Sequence, residues 1–439
     1  MHNSEAFSHS RRRLLLGGAA VGLAAGIGWL RPGAASGSHS AYFQSLSKAA
    51  DRNGVFQPQL IVDQQRMLAN LDRLTAALKN QYHYRIVAKS LPSVELLATL
   101  MERAGTNRLM VFHQPFLTQV ARDLPAADVL LGKPLPVAAA MRFYQQLAAD
   151  TTDFQPERQL QWLIDSPERL GQYHQLAQQR SQPMRLNLEI DIGLHRGGIQ
   201  SLETLETMLQ TIEASPWLTF SGFMGYEAHI AKAPGSNDWL RDQAMERYRA
   251  FVERAERTLG RSIRDLTLNT GGSTTYTLYR DRHDQVVANE IAAGSALVKP
   301  TDFDLPTLAD HVPAAFIATP VLKVLDRTEI PGAPGLGRLM SWWNPNREKT
   351  VFIYGGYWKA VPESPAGLSI NPVYGRSTNQ EMLNGSADLT LKPDDWVFLR
   401  PTQSEQVFLH FGGIVRYDAD QQQLDGHWPV LGSRITGQS

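Results

Sequence analysis

Four stretches of this chain gather reactive side chains at positions where turns could bring them together. Ile86-Val87-Ala88-Lys89-Ser90 delivers one lysine at the end of an otherwise apolar run. A lysine amine there can form a Schiff base if burial and neighbouring cations lower its pKa, although a lone strand-end lysine is more commonly a solvated cation. Leu266-Thr267-Leu268-Asn269 runs into Thr270-Gly271-Gly272-Ser273-Thr274. Glycines let the backbone approach an anion, and amides with hydroxyls can cradle a phosphate; a plain Gly-Gly turn is the simpler alternative. The stretch from Glu189 to Gly198 packs Asp191, His195 and Arg196 into a glycine-bearing loop, where Arg196 could face a ring nitrogen or form a structural ion pair with Asp191. Finally, Gly225-Tyr226-Glu227-Ala228-His229 offers an aromatic ring in Tyr226 and an acid/base in His229. Each of these two could equally be a satisfied strand-end side chain.

Side chains scattered over 200 residues can meet only if many strands end on one face. The pattern supplies such strands: Tyr84–Ala88, Arg108–Phe112, Asp128–Leu131, Gln161–Ile164, Arg185–Ile190, Phe220–Gly225, Leu266–Asn269 and Glu290–Leu297 read as β. Amphipathic helices such as Val94–Arg103, Val137–Ala149, Pro167–Gln179, Ser201–Ala214 and Trp239–Leu259 fall between them. Eight such repeats over roughly 220 residues predict an α/β fold, a (β/α)8 TIM-type barrel, with a doubly wound sheet as the alternative. The lysine, the loops and the Gly-Gly turn then all sit at strand C-termini, the face on which barrels place their chemistry. From about Val312 short β-branched and aromatic runs replace the helical period, among them Phe316–Leu325, Thr350–Tyr354, Trp396–Leu399 and Gln406–Tyr417. They predict a C-terminal all-β domain over 311–439, after a barrel over 55–310 whose opening strand is 55–63.

The 439 residues are 43% hydrophobic and 20% charged, with 43 basic residues balancing 43 acidic ones, which gives no basic surface for nucleic acid. The absence of cysteine excludes disulfides, thiolate metal sites and a thiol nucleophile. Ser10-Arg11-Arg12-Arg13 precedes an apolar run from Leu14 to Leu30, and small residues follow at Gly33-Ala34-Ala35-Ser36. Residues 1–36 therefore read as a twin-arginine export signal, with a periplasmic protein free of stable membrane association after cleavage; an uncleaved anchor is the alternative.

In order along the chain, these pieces resemble the fold-type III pyridoxal-phosphate enzymes, the alanine-racemase fold, and within it the branch of D-threonine aldolases and D-serine dehydratases. The resemblance runs through Pro58–Asp63 with Asn70, Lys89, Asp191-Ile192-Gly193 with Arg196-Gly197-Gly198-Ile199, Tyr226 with His229, Gly271-Gly272-Ser273-Thr274 and Glu290-Ile291-Ala292-Ala293-Gly294-Ser295. It implies that Lys89 holds pyridoxal 5′-phosphate as an internal aldimine. Arg196 then lies near the pyridine nitrogen, Gly271, Gly272, Ser273 and Thr274 at the phosphate, and Tyr226 and His229 beside the ring. The implied activity is a lyase acting on D-configured β-hydroxy amino acids, by aldol cleavage or dehydration, in a homodimer.

Relatives of this kind also carry a divalent metal on a histidine and a second ligand two residues on. Here Gln403 and Glu405 occupy those places in Leu399-Arg400-Pro401-Thr402-Gln403-Ser404-Glu405. If extended, the pair would share one face and suit a hard cation such as Mn2+ or Mg2+. Two other functions compete. A racemase would need a second base, with Tyr354, Tyr357 and Tyr374 as candidates, and a non-catalytic exported binding protein would have no turnover to lose on Lys89→Ala.

Overall fold

Buried apolar segments dictate the architecture. Leu160–Ile164 is buried at every position, as a parallel strand covered on both faces must be. The parallel strands β2 (His83–Val87), β3 (Arg108–Val111), β4 (Asp128–Leu131), β5 (Leu160–Ile164), β6 (Met184–Ile190), β7 (Leu218–Gly225), β8 (Thr267–Thr270) and β9 (Glu290–Ala293) pair in sequence and close into a barrel, β2 lying against β9 with His83 opposite Glu290. This computed structural model describes residues 31–79 and 81–432.

Helices cover the barrel because their apolar stripes match it. The 23-residue helix Asn237–Leu259 buries Met245, Tyr248, Val252 and Ala255 on one face. Its Tyr248 hydroxyl lies 3.2 Å from the carbonyl oxygens of both Phe223 and Asn269. Ser166, Ser201 and Ser236 cap helix N-termini by accepting from backbone amides three residues on.

Charge fills the N-terminal end of the barrel. Arg85 is fully buried and donates to both oxygens of Glu290, at 2.6 and 2.9 Å, and to Asp128 at 2.7 Å. Arg108 and Asn269 complete the set around Glu290, at 2.7 and 2.9 Å.

The chain divides into two compact units. The barrel unit comprises Ala49–Val55, Gln59–Ile317 and Arg400–Ser439. It includes β1 (Gln59–Asp63), which pairs in parallel with β16 (Gly413–Asp418), itself antiparallel to β17 (Gln423–Pro429). Asn70 ties its helix to the barrel by donating to the carbonyls of Leu297 and Val312. The second unit comprises the described residues up to Lys48, with Phe56–Pro58 and Ala318–Leu399. Its antiparallel sheet is built on most of β10 (Ala315–Leu325), with β11 (Lys349–Tyr354), β13 (Ser369–Ile370) and β14 (Gln380–Gly385). The fold is thus a TIM-type barrel with a separate antiparallel domain. Residues 400–439, assigned by the sequence pattern to that domain, group with the barrel. The twin-arginine motif and its apolar run lie outside the described residues. Among the described residues no helix is long and apolar enough to cross a membrane.

Candidate active site

At the C-terminal end of the barrel strands lies a cavity of about 240 Å3. Lys89 enters it from a single 3-10 turn, Ala88–Ser90, directly after β2. Its Nζ lies 4.3 Å from the centre of the Phe112 ring and 2.7 Å from Glu405 Oε1. The amine is therefore fixed between an aromatic face and a carboxylate rather than extended into solvent.

The segment after β8 forms another wall, with Gly271, Gly272, Ser273 and Thr274 all lining the cavity. The reason for its shape is a buried acid that sequence reading passed over. Glu227 accepts hydrogen bonds from the Thr270 hydroxyl (3.1 Å), the Gly271 amide (3.2 Å) and the Thr275 hydroxyl (2.7 Å), so the loop is wound around its carboxylate. Burial pushes the Glu227 carboxyl up from its ordinary value. The Ser273 hydroxyl accepts from the amides of Gly294 and Ala296, both at 3.1 Å, joining this loop to the turn after β9. Gly272 is needed for close approach: a Cβ there would lie 2.8 Å from Tyr226 Cε2.

Tyr226 and Arg196 meet in the same cavity, the guanidinium carbon 5.0 Å from the ring centre. Burial, reinforced by Glu227, raises the Tyr226 hydroxyl to about 12. Asp191 does not pair with Arg196. It accepts from the amides of Gly193 (2.9 Å) and His195 (3.1 Å) and holds His195 Nδ1 at 2.7 Å, which folds the loop that presents Arg196. Nearby Glu189 is raised to about 7 by burial and by Asp165, an effect that Arg196 opposes.

His229, expected beside the ring, does not line the cavity; Ala228 and Lys232 do. Its ring packs against the Asp191 loop, 3.5 Å from where a Cβ on Gly193 would sit, and its Nδ1 is buried without a hydrogen-bond partner. Burial lowers its pKa.

The Gln403 and Glu405 pair also departs from expectation. Instead of continuing a strand, Gln403 directly precedes the short helix Ser404–Val407 that carries Glu405, and its side-chain amide donates to Asp302 at 3.0 Å. Glu405 faces Lys89. Among the described residues no group of three or more histidine, aspartate or glutamate side chains is arranged to hold a metal. One carboxylate already paired with an ammonium and one amide donating to an acid do not fit a divalent cation.

The remaining donors do fit pyridoxal phosphate. A lysine amine, a loop of glycines and hydroxyl residues after the seventh and eighth barrel strands, and an arginine with an aromatic ring share one enclosed space. The chain matches the family described as alanine racemase, N-terminal domain, over residues 62–302, more than half its length. It belongs to that family. No curated protein sequence matches it. Among solved structures it is similar to D-threonine aldolase from Filomicrobium marinum, with a TM-score of 0.68 at 15% identity, covering 87% of this chain and 98% of the other. D-threo-3-hydroxyaspartate dehydratase from Delftia sp. HT23 gives 0.64 at 16%, with 85% and 97% covered. Alanine racemase from Clostridium difficile 630 gives 0.61 at 15%, with 85% and 98% covered. The protein is a fold-type III pyridoxal-phosphate enzyme by family. Asp302, Asn269, Phe112, Ser295 and Lys232 join its cavity without having been singled out from sequence. Phe112 and Asn269 carried a signal as ends of expected strands and Ser295 as the end of the Glu290–Ser295 run, whereas Lys232 and Asp302 carried none.

Proposed function

We propose that this enzyme is a lyase acting on D-configured β-hydroxy amino acids, with Lys89 as the residue that would hold the cofactor. The observation that carries the reading is Lys89 Nζ held beside Glu405 in a cavity shared with Arg196 and the Gly271–Thr274 loop. Pyridoxal phosphate, when bound, supplies an acceptor for the electron pair left on Cα. The protein's part is positional and protonic. Gly271–Thr274 and the turn at Gly294 and Ser295 would hold its phosphate, and Arg196 would keep a ring nitrogen facing it unprotonated, because an arginine does not give up its proton. Phe112, whose ring lies 4.3 Å from the Lys89 amine, and Met224 supply apolar surface to the cavity.

A racemase needs a base on each side of Cα. Tyr226, the tyrosine lining the cavity, is raised to about 12 and is a weak base source at neutral pH, which favours the lyase reading. Tyr354, Tyr357 and Tyr374 belong to the antiparallel unit.

The decisive test is an absorption spectrum with and without borohydride, followed by peptide mapping. A band near ~420 nm that reduction converts to a pyridoxyl adduct on Lys89 is expected, and Lys89→Ala should lower turnover at least ~1000-fold. A protein that stays colourless with added pyridoxal phosphate rejects the reading. Carbonyl product from D-threonine or D-serine separates lyase from racemase. We also propose periplasmic export through the Arg11-Arg12-Arg13 signal and a homodimeric state. Cell fractionation and light scattering of the purified enzyme test them, cytoplasmic retention or a monomer counting against each.

A further inference from the structure

We propose that Glu405 takes over the work a metal would do at this site, and that the acidic wall it forms with Asp302 selects β-hydroxy substrates with neutral side chains over acidic ones. This rests on the lyase reading above and adds its substrate class.

Lys89 Nζ marks the place that a substrate amine would take in exchange for the lysine. A β-substituent lies roughly 3 Å from its own amine nitrogen. It therefore falls within reach of Glu405, whose Oε1 is 2.7 Å from Nζ.

Glu405 is fixed there by design of the surrounding turns. Its neighbour Ser404 is fully buried, with its hydroxyl 3.2 Å from that of Ser295, which in turn donates to the Ser90 hydroxyl at 2.9 Å. Three serines thus tie the helix bearing the carboxylate to the turn bearing the amine. Asp302 is held on the same wall by Gln403, and Arg400 anchors the segment by donating to the Lys299 carbonyl and to Asp304.

When Lys89 is committed to the cofactor, Glu405 loses its ammonium partner and becomes the acceptor nearest the substrate side chain. A β-hydroxyl satisfies it; a second carboxylate meets like charge from Glu405 and Asp302. In aldol cleavage the hydroxyl proton passes to Glu405, and the oxygen pair forms the carbonyl as the Cα–Cβ bond breaks. The pair left on Cα, for which pyridoxal phosphate would be the acceptor when bound, takes that proton back from Glu405, so that glycine and the aldehyde together account for every atom of the substrate.

The test compares wild-type holoenzyme with Glu405→Gln and Glu405→Asp. Wild type should keep full activity after dialysis against EDTA, and added Mn2+ should retain the electron paramagnetic resonance spectrum of the free ion. Its kcat/KM should favour D-threonine over D-threo-3-hydroxyaspartate at least tenfold. Glu405→Gln should lose at least a hundredfold on D-threonine and relax the preference, whereas Glu405→Asp should recover part of the rate with a displaced pH profile. Activity that needs Mn2+, or a preference unchanged in Glu405→Gln, overturns the proposal. If no hydroxy amino acid yields a carbonyl product, the lyase reading itself fails. The acidic wall is then read from titration of the absorption band: D-serine binding tighter than D-aspartate in wild type, with the order relaxed in Glu405→Gln, supports it, and equal affinities overturn it.

Discussion

At the scale of single residues, the site runs on carboxylates held in contrasting states. Glu189 is the clearest to measure. Burial first, then Asp165 and Asp191, raise its folded pKa to about 7 against Arg196, while the unfolded chain titrates near the model-peptide value of ~4.3. A group raised on folding stabilises the native state fully below its unfolded pKa and loses that contribution as pH rises through the folded value. Stability should therefore fall between about pH 4.3 and 7, by at most about 3.7 kcal/mol and less with solvent screening. Glu189→Gln should flatten that limb in urea unfolding at pH 5 and pH 8; an unchanged slope would assign it elsewhere. Lys89, Arg196 and Gly271–Thr274 could be placed on one face of the barrel from sequence because each follows a recognisable strand, although a solvated lysine, an ion pair or a plain Gly-Gly turn would have looked the same there. Glu227 was not legible, since a glutamate after a strand looks the same whether it is solvated or, as here, completely buried beneath Thr270, Gly271 and Thr275. His229, which the resemblance placed beside the cofactor ring, follows the strand end, but its ring packs against the Asp191 segment near Gly193 and does not line the cavity.

At the scale of elements, strand positions were readable because hydrophobic runs bounded by polar turns have few alternatives, and β4 matches Asp128–Leu131 at both ends. The miss at Glu290–Leu297 is instructive. Its apolar character continues to Leu297, yet the strand stops at Ala293 and a 3-10 turn, Ser295–Leu297, follows. Gly294 explains the break: a Cβ there would lie 2.7 Å from the Val87 carbonyl oxygen and 3.0 Å from Ser90 Cβ. The chain passes directly over the turn that carries Lys89, a contact no local pattern reveals. Gln406–Tyr417 failed similarly, dividing into the helix Ser404–Val407 and β16. Gly294→Ala should consequently push the Lys89 turn aside. We expect a loss of about 1–3 kcal/mol in stability and at least tenfold weaker cofactor retention on dialysis. A variant that melts and retains pyridoxal phosphate like wild type would mean that this contact does not set the lysine's position.

At the scale of the whole molecule, the barrel must be closed before any site exists, and its first and last strands are clamped at the end away from the cavity. Arg85 on β2 reaches Glu290 on β9 with two hydrogen bonds, and Asp128 with a third. Asn269, which lines the cavity, donates to the same Glu290, so the clamp and the catalytic end share one buried carboxylate. Burial pushes Glu290 up, but Arg85 and Arg108 outweigh it and hold the carboxyl below its ordinary value. The sign is opposite to that of Glu189: this contribution is present above the unfolded pKa and is lost as pH falls through the folded one. Resistance to acid and closure of the barrel are then one property. Arg85→Met leaves Glu290 with Arg108 as its remaining cation and removes the β2–β9 link. A loss of about 3–5 kcal/mol at pH 7 is expected, with a shallower decline in acid than wild type shows. Arg85→Lys should recover little, because one ammonium cannot reproduce the planar fork that spans Glu290 and Asp128. Hydrogen exchange at β2 and β9 locates the effect: protection lost at those two strands first is the signature of an opened barrel, and uniform loss would reduce Arg85 to a generic core contact.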